Sequence, residues 1–425
     1  MKRNIKIKAQ AMQFALLVSV LVALLLSAFL LLTHVHSFFA IKSKELINGV
    51  TIPATAIRNF LATSESPSSV TDSLHFFIEN QEVKISNSFY GGWTKITAVT
   101  ELPQKKYIRT ALSGSRLIPE TPNLYLPKSN TPLVVIGNTR LEGNLYLSEY
   151  GIKAGNIGGK YYQGRQLYDG RLLKSKKTLP TLDSSWLHYI SSLTTQVPED
   201  TSEIIPLRPK MQHSFEQPQK WIYAPETIHL EAVEITGNII IKSDTKIIVY
   251  SSAILQDVLL IAPVIELREQ VRGRMHLLAT KKLQIGKKCH LQYPSSVILS
   301  ATNHIKATTT RADIRNQIDM VIDSKVQVEG VLLYLKKKLH EKERVKTHML
   351  IKPETFITGG IYCQGNVDFQ GVLKGRLYAL QFIANQQGSL YLNHIYEARI
   401  MRNPIPDYAG LPMADTKKTV AKWLY

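Results

Sequence analysis

The stretch that decides the fold reads Val258-Leu-Leu-Ile-Ala262, and the chain becomes apolar again at Ile265 and Leu267. The first part of this phrase returns as Met275-His-Leu-Leu-Ala279, Val297-Ile-Leu-Ser-Ala301 and Ile318-Asp-Met-Val-Ile322. These repeats start 17, 22 and 21 residues after one another, and the second apolar part follows each start by 7 or 8 residues. A fixed separation inside the repeat and a variable connection between repeats predict a solenoid.

The same phrase extends the repeat in both directions along the chain. It is found at Leu133-Val-Val-Ile136, Ile239-Ile-Ile241 and Met349-Leu-Ile351. A third short apolar run often follows a glycine, as after Gly143 and Gly330. Short runs of period 2 with glycine at the corners indicate strands, so we expect a mainly β protein built as a parallel β-helix with three-strand rungs of about 20 residues. A β-sandwich is the alternative, but residues 228–330 contain almost no hairpin signal.

An uncharged N-terminal segment predicts a membrane anchor. No Lys, Arg, Asp or Glu occurs between Lys8 and Lys42, and about 20 apolar residues suffice to span a bilayer as a helix. We expect a transmembrane helix at residues 13–35, and the four cations before it place residues 1–12 in the cytoplasm. The sequence thus predicts a single-pass protein of a bacterial cell membrane whose bulk is extracytoplasmic. A cleaved signal sequence is the alternative.

The remainder of the chain divides into regions that differ in composition and in apolar pattern. We expect a small strand-rich or mixed membrane-proximal region at 42–132 and the β-helix at 133–392. An insertion at about 160–227 interrupts the β-helix, between the repeat at 133–147 and the repeat at 239–249. Residues 393–425, where the apolar alternation fades, are expected to form a C-terminal tail or cap.

Positive charge suggests the class of partner. The formal net charge is +19, and a basic exterior attracts anionic glycans, lipid head groups or nucleic acid. The alternative is that Lys and Arg only solvate the outer faces and form no dedicated binding site. The densest cluster predicts a partner-binding loop that consists of Lys336, Lys337, Lys338, Lys342, Arg344 and Lys346. An anionic glycan or another envelope protein is the expected partner, with nucleic acid and self-association also open.

The sequence contains few patterns that indicate a catalytic or metal-binding site. Carboxylates do not align on neighbouring rungs, as hydrolysis of an acidic glycan would require, and Asp257, Asp319 and Asp323 are interpreted as solvated corner residues. No zinc motif or nucleophile elbow is present. The sequence therefore predicts no catalytic residue, no metal site and no cofactor. Cys289 and Cys363 are placed at one position of rungs three apart, too far for a disulfide, which predicts two unpaired thiols.

Three resemblances follow from these features. The glycine-punctuated residues 357–375 resemble the rungs of bactofilin-type polymer-forming solenoids, which implies possible self-association. The layout resembles uncharacterised single-pass bacterial envelope proteins with a β-helical exterior. The apolar N-terminal helix is similar to that of type IV pilin-like subunits, although the Gly-Phe or Gly-Met processing site is missing and the first Glu is Glu45.

The leading hypothesis is a non-enzymatic, membrane-anchored envelope protein whose rigid β-helix is a scaffold or binding surface. One alternative is a glycan-active β-helix enzyme with a site on the 160–227 insertion. Another is an accessory subunit of a pilus-like, secretion or DNA-uptake machine.

Overall fold

The fold is known from a computed structural model. It describes residues 9–63, 74–78, 80–102, 105–118, 120–196, 203–301, 317–336, 345–402, 408–414 and 416–424. Within these ranges the protein is mainly β with two α-helices, and the longer helix is N-terminal and apolar. The prediction of a mainly β protein behind a long apolar helix is therefore confirmed.

The elements follow one another along the chain in an order that begins with the long helix. They are α1 (Ala9–Thr63), β1 (Leu74–Ile78), β2 (Gln81–Tyr90), β3 (Trp93–Leu102), β4 (Lys105–Arg116), β5 (Leu124–Tyr125), β6 (Leu133–Ile136), β7 (Arg140–Leu147), β8 (Ile152–Ala154), β9 (Asn156–Ile157), β10 (Lys160–Tyr161), β11 (Asp169–Lys174), α2 (Ser184–Thr195), β12 (Lys210–His213), β13 (Lys220–Ala224), β14 (Ile228–Leu230), β15 (Glu234–Gly237), β16 (Ile239–Ser243), β17 (Lys246–Val249), β18 (Ile254–Leu267), β19 (Arg272–Ile285), β20 (His290–Ser300), β21 (Met320–Ile322), β22 (Gln327–Leu335), β23 (Met349–Ile351), β24 (Phe356–Phe369), β25 (Val372–Gln386), β26 (Ser389–Leu392), β27 (His394–Tyr396), β28 (Arg399–Met401), β29 (Ala409–Gly410) and β30 (Lys418–Leu424).

Helix α1 is longer than the sequence predicts. It runs unbroken through 55 residues, so it is about 80 Å long. The expected end of the transmembrane helix near residue 35 is not a structural boundary, because α1 continues to Thr63 with Pro53 inside it. Lys42 and Glu45 form an ion pair of 3.0 Å on its surface, and the helix buries one face only beyond Asn48.

The last turns of α1 pack on an antiparallel sheet, which we call the antiparallel unit together with them. The sheet has the order β1-β2-β3-β4, and both β29 and β30 pair with β4. The shared core consists of Ile52, Ala56, Ile57, Phe60 and Leu61 of the helix with Val83, Ile85, Ile96, Ala98 and Ala111 of the strands. The expected C-terminal tail is thus partly a strand of this sheet, because β30 supplies the hydrogen bonds that β4 lacks on that side.

Most other strands pair in parallel, and we call this assembly the stack. Strand β18 shows its construction: Ile254–Gln256 pairs with β15, Leu259–Ile261 with β16 and Val264–Leu267 with β17. One strand therefore contributes to three faces in succession, and β19 repeats the path directly on top of β18. The side chains that point inward form one continuous apolar core along the stack.

The repeat is in register at first and then shifts. Val258 pairs with Met275 and Ile265 with Leu283, as the sequence predicts. Beyond them, Val297 pairs with Leu277, and Met320 pairs with Leu283. The phrase at 318–322 therefore lies on the face formed by the second part of the repeat, not the first. An irregularity in β20 adds residues at one corner, which is why Val297 lies opposite Leu277 and not opposite Met275.

The order of strands in the stack differs from their order along the chain. Strand β7 does not neighbour β16; it pairs with β5, β28 and β11. On one face β13 lies at one end and β11 at the other. The segment expected as an insertion between adjacent repeats therefore joins opposite ends of the stack. Its helix α2 packs along that face through Trp186, Ile190 and Leu193.

Glycines occupy one corner of consecutive rungs. Gly330 pairs with Gly359 and Gly359 with Gly375, and all three have φ between 138° and 151°. A Cβ at Gly375 would lie 1.8 Å from the Gly359 carbonyl oxygen, and one at Gly359 would lie 1.9 Å from that of Gly330. The backbones approach so closely here that no side chain fits between rungs.

Candidate functional site

Helix α1 presents an uncovered apolar surface over its first half. A window within Gln10–Thr63 has a mean hydropathy of 3.0, and none of it is buried against the protein. Large side chains such as Phe14, Leu24 and Leu31 are each more than 60% exposed. By length and composition this helix can cross a membrane, and the predicted span at 13–35 lies within it.

The antiparallel unit contacts the stack through the turn between β2 and β3. The Tyr90 hydroxyl donates to the Asp257 carbonyl oxygen at 2.8 Å, and the Gly92 amide donates to Ser296 Oγ at 3.0 Å. The indole of Trp186 donates to the Gly91 carbonyl oxygen at 3.0 Å. Nothing in the sequence around Gly91-Gly92 shows that this turn docks on strands 167 and 204 residues away.

A buried charge cluster lies beside this turn. Asp257 is fully buried, and its carboxylate accepts hydrogen bonds from Arg274 Nε at 2.5 Å and Arg274 Nη2 at 3.0 Å. Lys422 of β30 also donates to this carboxylate, with Nζ 2.5 Å from Oδ2, the oxygen that Arg274 Nη2 binds as well. Burial alone would raise the pKa of Asp257, but Arg274 and Lys422 outweigh it and hold the pKa below its usual range. Asp257 is therefore a charged link between the stack and the antiparallel unit, not the solvated corner residue that the sequence predicts.

His276 and Ser296 complete the contact, which we call the junction: Tyr90, Gly92, Asp257, Arg274, His276, Ser296 and Lys422. His276 Nδ1 lies 2.9 Å from Ser296 Oγ, and the imidazole meets the Tyr90 ring edge to face at 5.2 Å. Burial lowers the pKa of His276 to about 4. Both His276 and Ser296 are fully buried, so this serine and histidine pair packs the junction and has no route to a substrate.

The two buried histidines should make stability depend on pH. Burial lowers the pKa of His276 to about 4 and that of His348 to about 3. As the pH falls below the unfolded value of about 6.5, only the unfolded chain takes up these protons, so the free energy of unfolding should fall by about 1.4 kcal/mol per pH unit for each group. We expect His276→Asn to flatten the slope between pH 6.5 and 4 in urea unfolding, and His229→Asn, at an exposed site, to leave it unchanged. Equal slopes in all three proteins would contradict the assignment.

The predicted basic loop is described only at its two ends. Lys337, Lys338, Lys342 and Arg344 lie outside the described residues. The Lys336 amide donates to Gln364 Oε1 at 2.8 Å. Lys346 is 4% exposed, and its Nζ lies 2.6 Å from Asp319 Oδ1. The Lys346 ammonium is thus bound in a buried ion pair, whereas the sequence predicts that it contacts a partner.

Asp319 belongs to a second buried polar group within the stack. The Tyr334 hydroxyl donates to its other oxygen at 2.8 Å, and Asn366 Nδ2 donates to the Lys346 carbonyl oxygen at 2.8 Å. The interpretation of Asp319 as a solvated turn residue is wrong, because it lies inside a corner. In the sequence Asp319 is a single aspartate beside a strand. Exposed aspartates have the same sequence context, so the sequence alone does not distinguish a buried aspartate from an exposed one.

The two cysteines are free and buried, as predicted. They do not share one position of the repeat. Cys289 lies at the corner where the Gln327 amide donates to its carbonyl oxygen and the Phe356 amide donates to that of Val326. Cys363 lies elsewhere, because it pairs with Tyr334. Burial raises the pKa of the Cys289 thiol to about 11 and that of Cys363 further. We expect no reaction with a thiol reagent at pH 8 in the folded protein and two thiols after denaturation. One or no thiol after denaturation without reductant would contradict free cysteines.

His, Cys, Asp and Glu side chains are the usual metal ligands. The described ranges, given above, contain no group of three or more of these residues that could hold a metal ion.

No family model matches the chain, and no curated protein matches it. One solved structure, the competence-associated pilin ComZ from Thermus thermophilus, is similar over 83% of this chain and 86% of that chain. Its identity is 10% and its TM-score 0.19, so the likeness carries no conclusion about fold or function.

Proposed function

We propose that the protein is a membrane-anchored scaffold of a bacterial envelope. The observation that supports this proposal best is the continuity of α1, whose apolar half is uncovered and whose last turns belong to the core of the antiparallel unit. The junction then connects that unit to the stack through the buried side chains of Tyr90, Asp257 and Ser296 and the partly buried Arg274 and Lys422. An anchor built in this way holds a long β surface at a fixed place relative to the bilayer.

The finer parts of the proposal follow from the sequence and the strand pairing. We propose that the stack is a parallel β-helix of three-strand rungs, with residues 133–392 as its main part. Residues 1–12 are cytoplasmic and the residues after α1's apolar half are extracytoplasmic, since the cations precede the span. The outer surface and the basic segment from Lys336 to Arg344 bind an anionic glycan or an envelope protein, without the buried Lys346 ammonium.

Fractionation and protease protection test the location. The full-length protein should stay in the membrane pellet after carbonate washing, and protease added to spheroplasts should degrade the part after α1. Release by carbonate would overturn the anchor, and protection of the stack in spheroplasts would overturn the orientation. Salt-sensitive binding to peptidoglycan or to an acidic polysaccharide would support the partner class.

One observation favours a second candidate, an accessory subunit of a pilus-like, secretion or DNA-uptake machine. The exposed apolar half of α1 and the sheet packed on its other half would let several copies bundle their helices. Cysteines introduced singly along residues 13–35 should then form disulfide-linked oligomers with a helical period. Uniform absence of crosslinks would leave the scaffold as the better account.

A further inference from the structure

A cavity of about 250 Å³ lies between α1 and the edge of the antiparallel sheet, and none of its described lining residues belongs to the junction. Helix α1 contributes Thr51, Thr55 and Arg58 to its wall, β4 contributes Arg109 and β30 contributes Trp423. Val50 and Ala54 form its apolar side. The helix and both strands belong to one packed unit, so their positions around the cavity are set by the shared core.

Two guanidinium groups face this cavity without a carboxylate. Arg58 lies over the Trp423 ring, with its guanidinium carbon 5.8 Å from the ring centre. Arg109 Nε is buried and makes no hydrogen bond. Among the described residues, none of the ion pairs involves Arg58 or Arg109. A buried donor without an acceptor costs free energy that a bound oxyanion would remove.

The chemistry of the wall defines the ligand. Guanidinium groups bind carboxylates and phosphates through paired hydrogen bonds, and the indole of Trp423 and the side chain of Val50 offer an apolar contact. The volume lies just below the range of about 300 to 1,000 Å³ found for drug-sized ligands. It therefore suits one charged group joined to a small apolar part.

The position along α1 excludes lipid head groups as the source. Arg58 lies 17 residues beyond Ile41, the last residue of the uncharged segment, which is about 25 Å along a helix. The head-group layer adds only about 5 to 8 Å to each side of the hydrocarbon core. An anion that reaches Arg58 comes from solution or from a partner molecule.

We propose that this cavity binds a small organic carboxylate, with the carboxylate between Arg58 and Arg109 and its apolar part against Trp423. The site is independent of the scaffold and pilus-like functions and would be present under either. It supplies a specific contact for a carboxylate ligand or for a carboxylate that a partner presents.

Titration of benzoate into the full-length protein in detergent tests the site. Trp423 is partly exposed whereas Trp93, Trp186 and Trp221 are buried, so a bound aromatic acid should change the tryptophan fluorescence through Trp423. We expect saturable binding that is weakened at least about tenfold by Arg109→Gln or Arg58→Gln, because each removes a charge-assisted hydrogen bond. Arg399→Gln, at an exposed site on the stack, is the matched control and should bind benzoate like the parent protein.

Two further ligands and one further variant test the carboxylate site. Benzamide, which has the same shape without the charge, should not compete, and inorganic phosphate should bind more weakly than benzoate. If Arg109→Gln does not fold, Arg109→Lys keeps the charge and should still weaken benzoate by losing the paired geometry. The proposal is overturned by a lack of saturable binding, by equal affinity in the arginine variants and the control, or by phosphate binding as tightly as benzoate.

Discussion

Replacing Gly359 by alanine should destabilise the stack by at least about 4 kcal/mol, an unusually large cost for one methyl group. The new Cβ would lie 1.9 Å from the Gly330 carbonyl oxygen and 2.5 Å from the Tyr408 hydroxyl. The backbone adds to the cost, since φ is 138° and an L-residue rarely adopts it. Relief would require separating two rungs, which breaks the ladder of hydrogen bonds on both sides. The measurement is urea unfolding of the full-length protein in detergent, followed by far-ultraviolet circular dichroism.

Gly388→Ala is the matched control for this change. Gly388 also has a positive φ of 76°, but a Cβ there would meet nothing within 4 Å. Only the backbone strain remains, about 1 to 2 kcal/mol. If both alanine variants lose the same free energy of unfolding, close approach of the rungs at Gly359 is not the reason that this corner carries glycine.

The second large effect is expected from Asp257→Asn. This change keeps the shape of the side chain but leaves Arg274 and Lys422 without the carboxylate that both bind, so we expect a loss of about 3 to 5 kcal/mol. Lys422→Met should cost less, because Arg274 still neutralises Asp257. Since the pKa of Asp257 is held below its usual range, its contribution is present above that range and is lost as the pH falls through the lowered pKa.

Asp244→Asn provides the control for the charge cluster. Asp244 is exposed and accepts a hydrogen bond from the Tyr223 hydroxyl at 2.5 Å. Its replacement should change the free energy of unfolding by no more than about 0.5 kcal/mol. A loss at Asp257 as small as that at Asp244 would show that the junction does not couple the antiparallel unit to the stack.

Local patterns in the sequence predicted the elements that depend on neighbours along the chain. The apolar segment before Lys42 predicted the long apolar helix, because length and the absence of charge are sufficient criteria. The alternation at Val258 and Met275 predicted strands and their mutual register, because each rung there follows the previous one without a long insertion. The thiols were predicted to be free, and they are, although the register used to place Cys363 is wrong because Met349 lies on the face of Leu283 and not on that of Met275.

Long-range choices could not be predicted in the same way. A parallel strand has two equivalent edges, and no residue of β7 specifies whether β16 or β28 covers it. The junction joins Gly92, Asp257 and Lys422, which lie in three distant parts of the chain and share no motif. Asp257 has the sequence context of a turn, and only the arrival of β30 makes it the partner of two cations. Arg109 likewise has no local signature, since its cavity exists only when α1 and Trp423 are in place.

The order of strands in the stack also determines when each strand can find its partner during folding. Strands β5 and β7 emerge early, yet their partners β25 and β28 are made more than 200 residues later; Asn123 Nδ2, for example, bonds to the Gly375 carbonyl oxygen across 252 positions. Contacts of such sequence separation form slowly, and unpaired edges are prone to aggregation while they wait. The edges of β5 and β7 that β25 and β28 cover must therefore stay open until nearly the whole chain is available, which makes the early strands of the stack natural clients for a holdase chaperone.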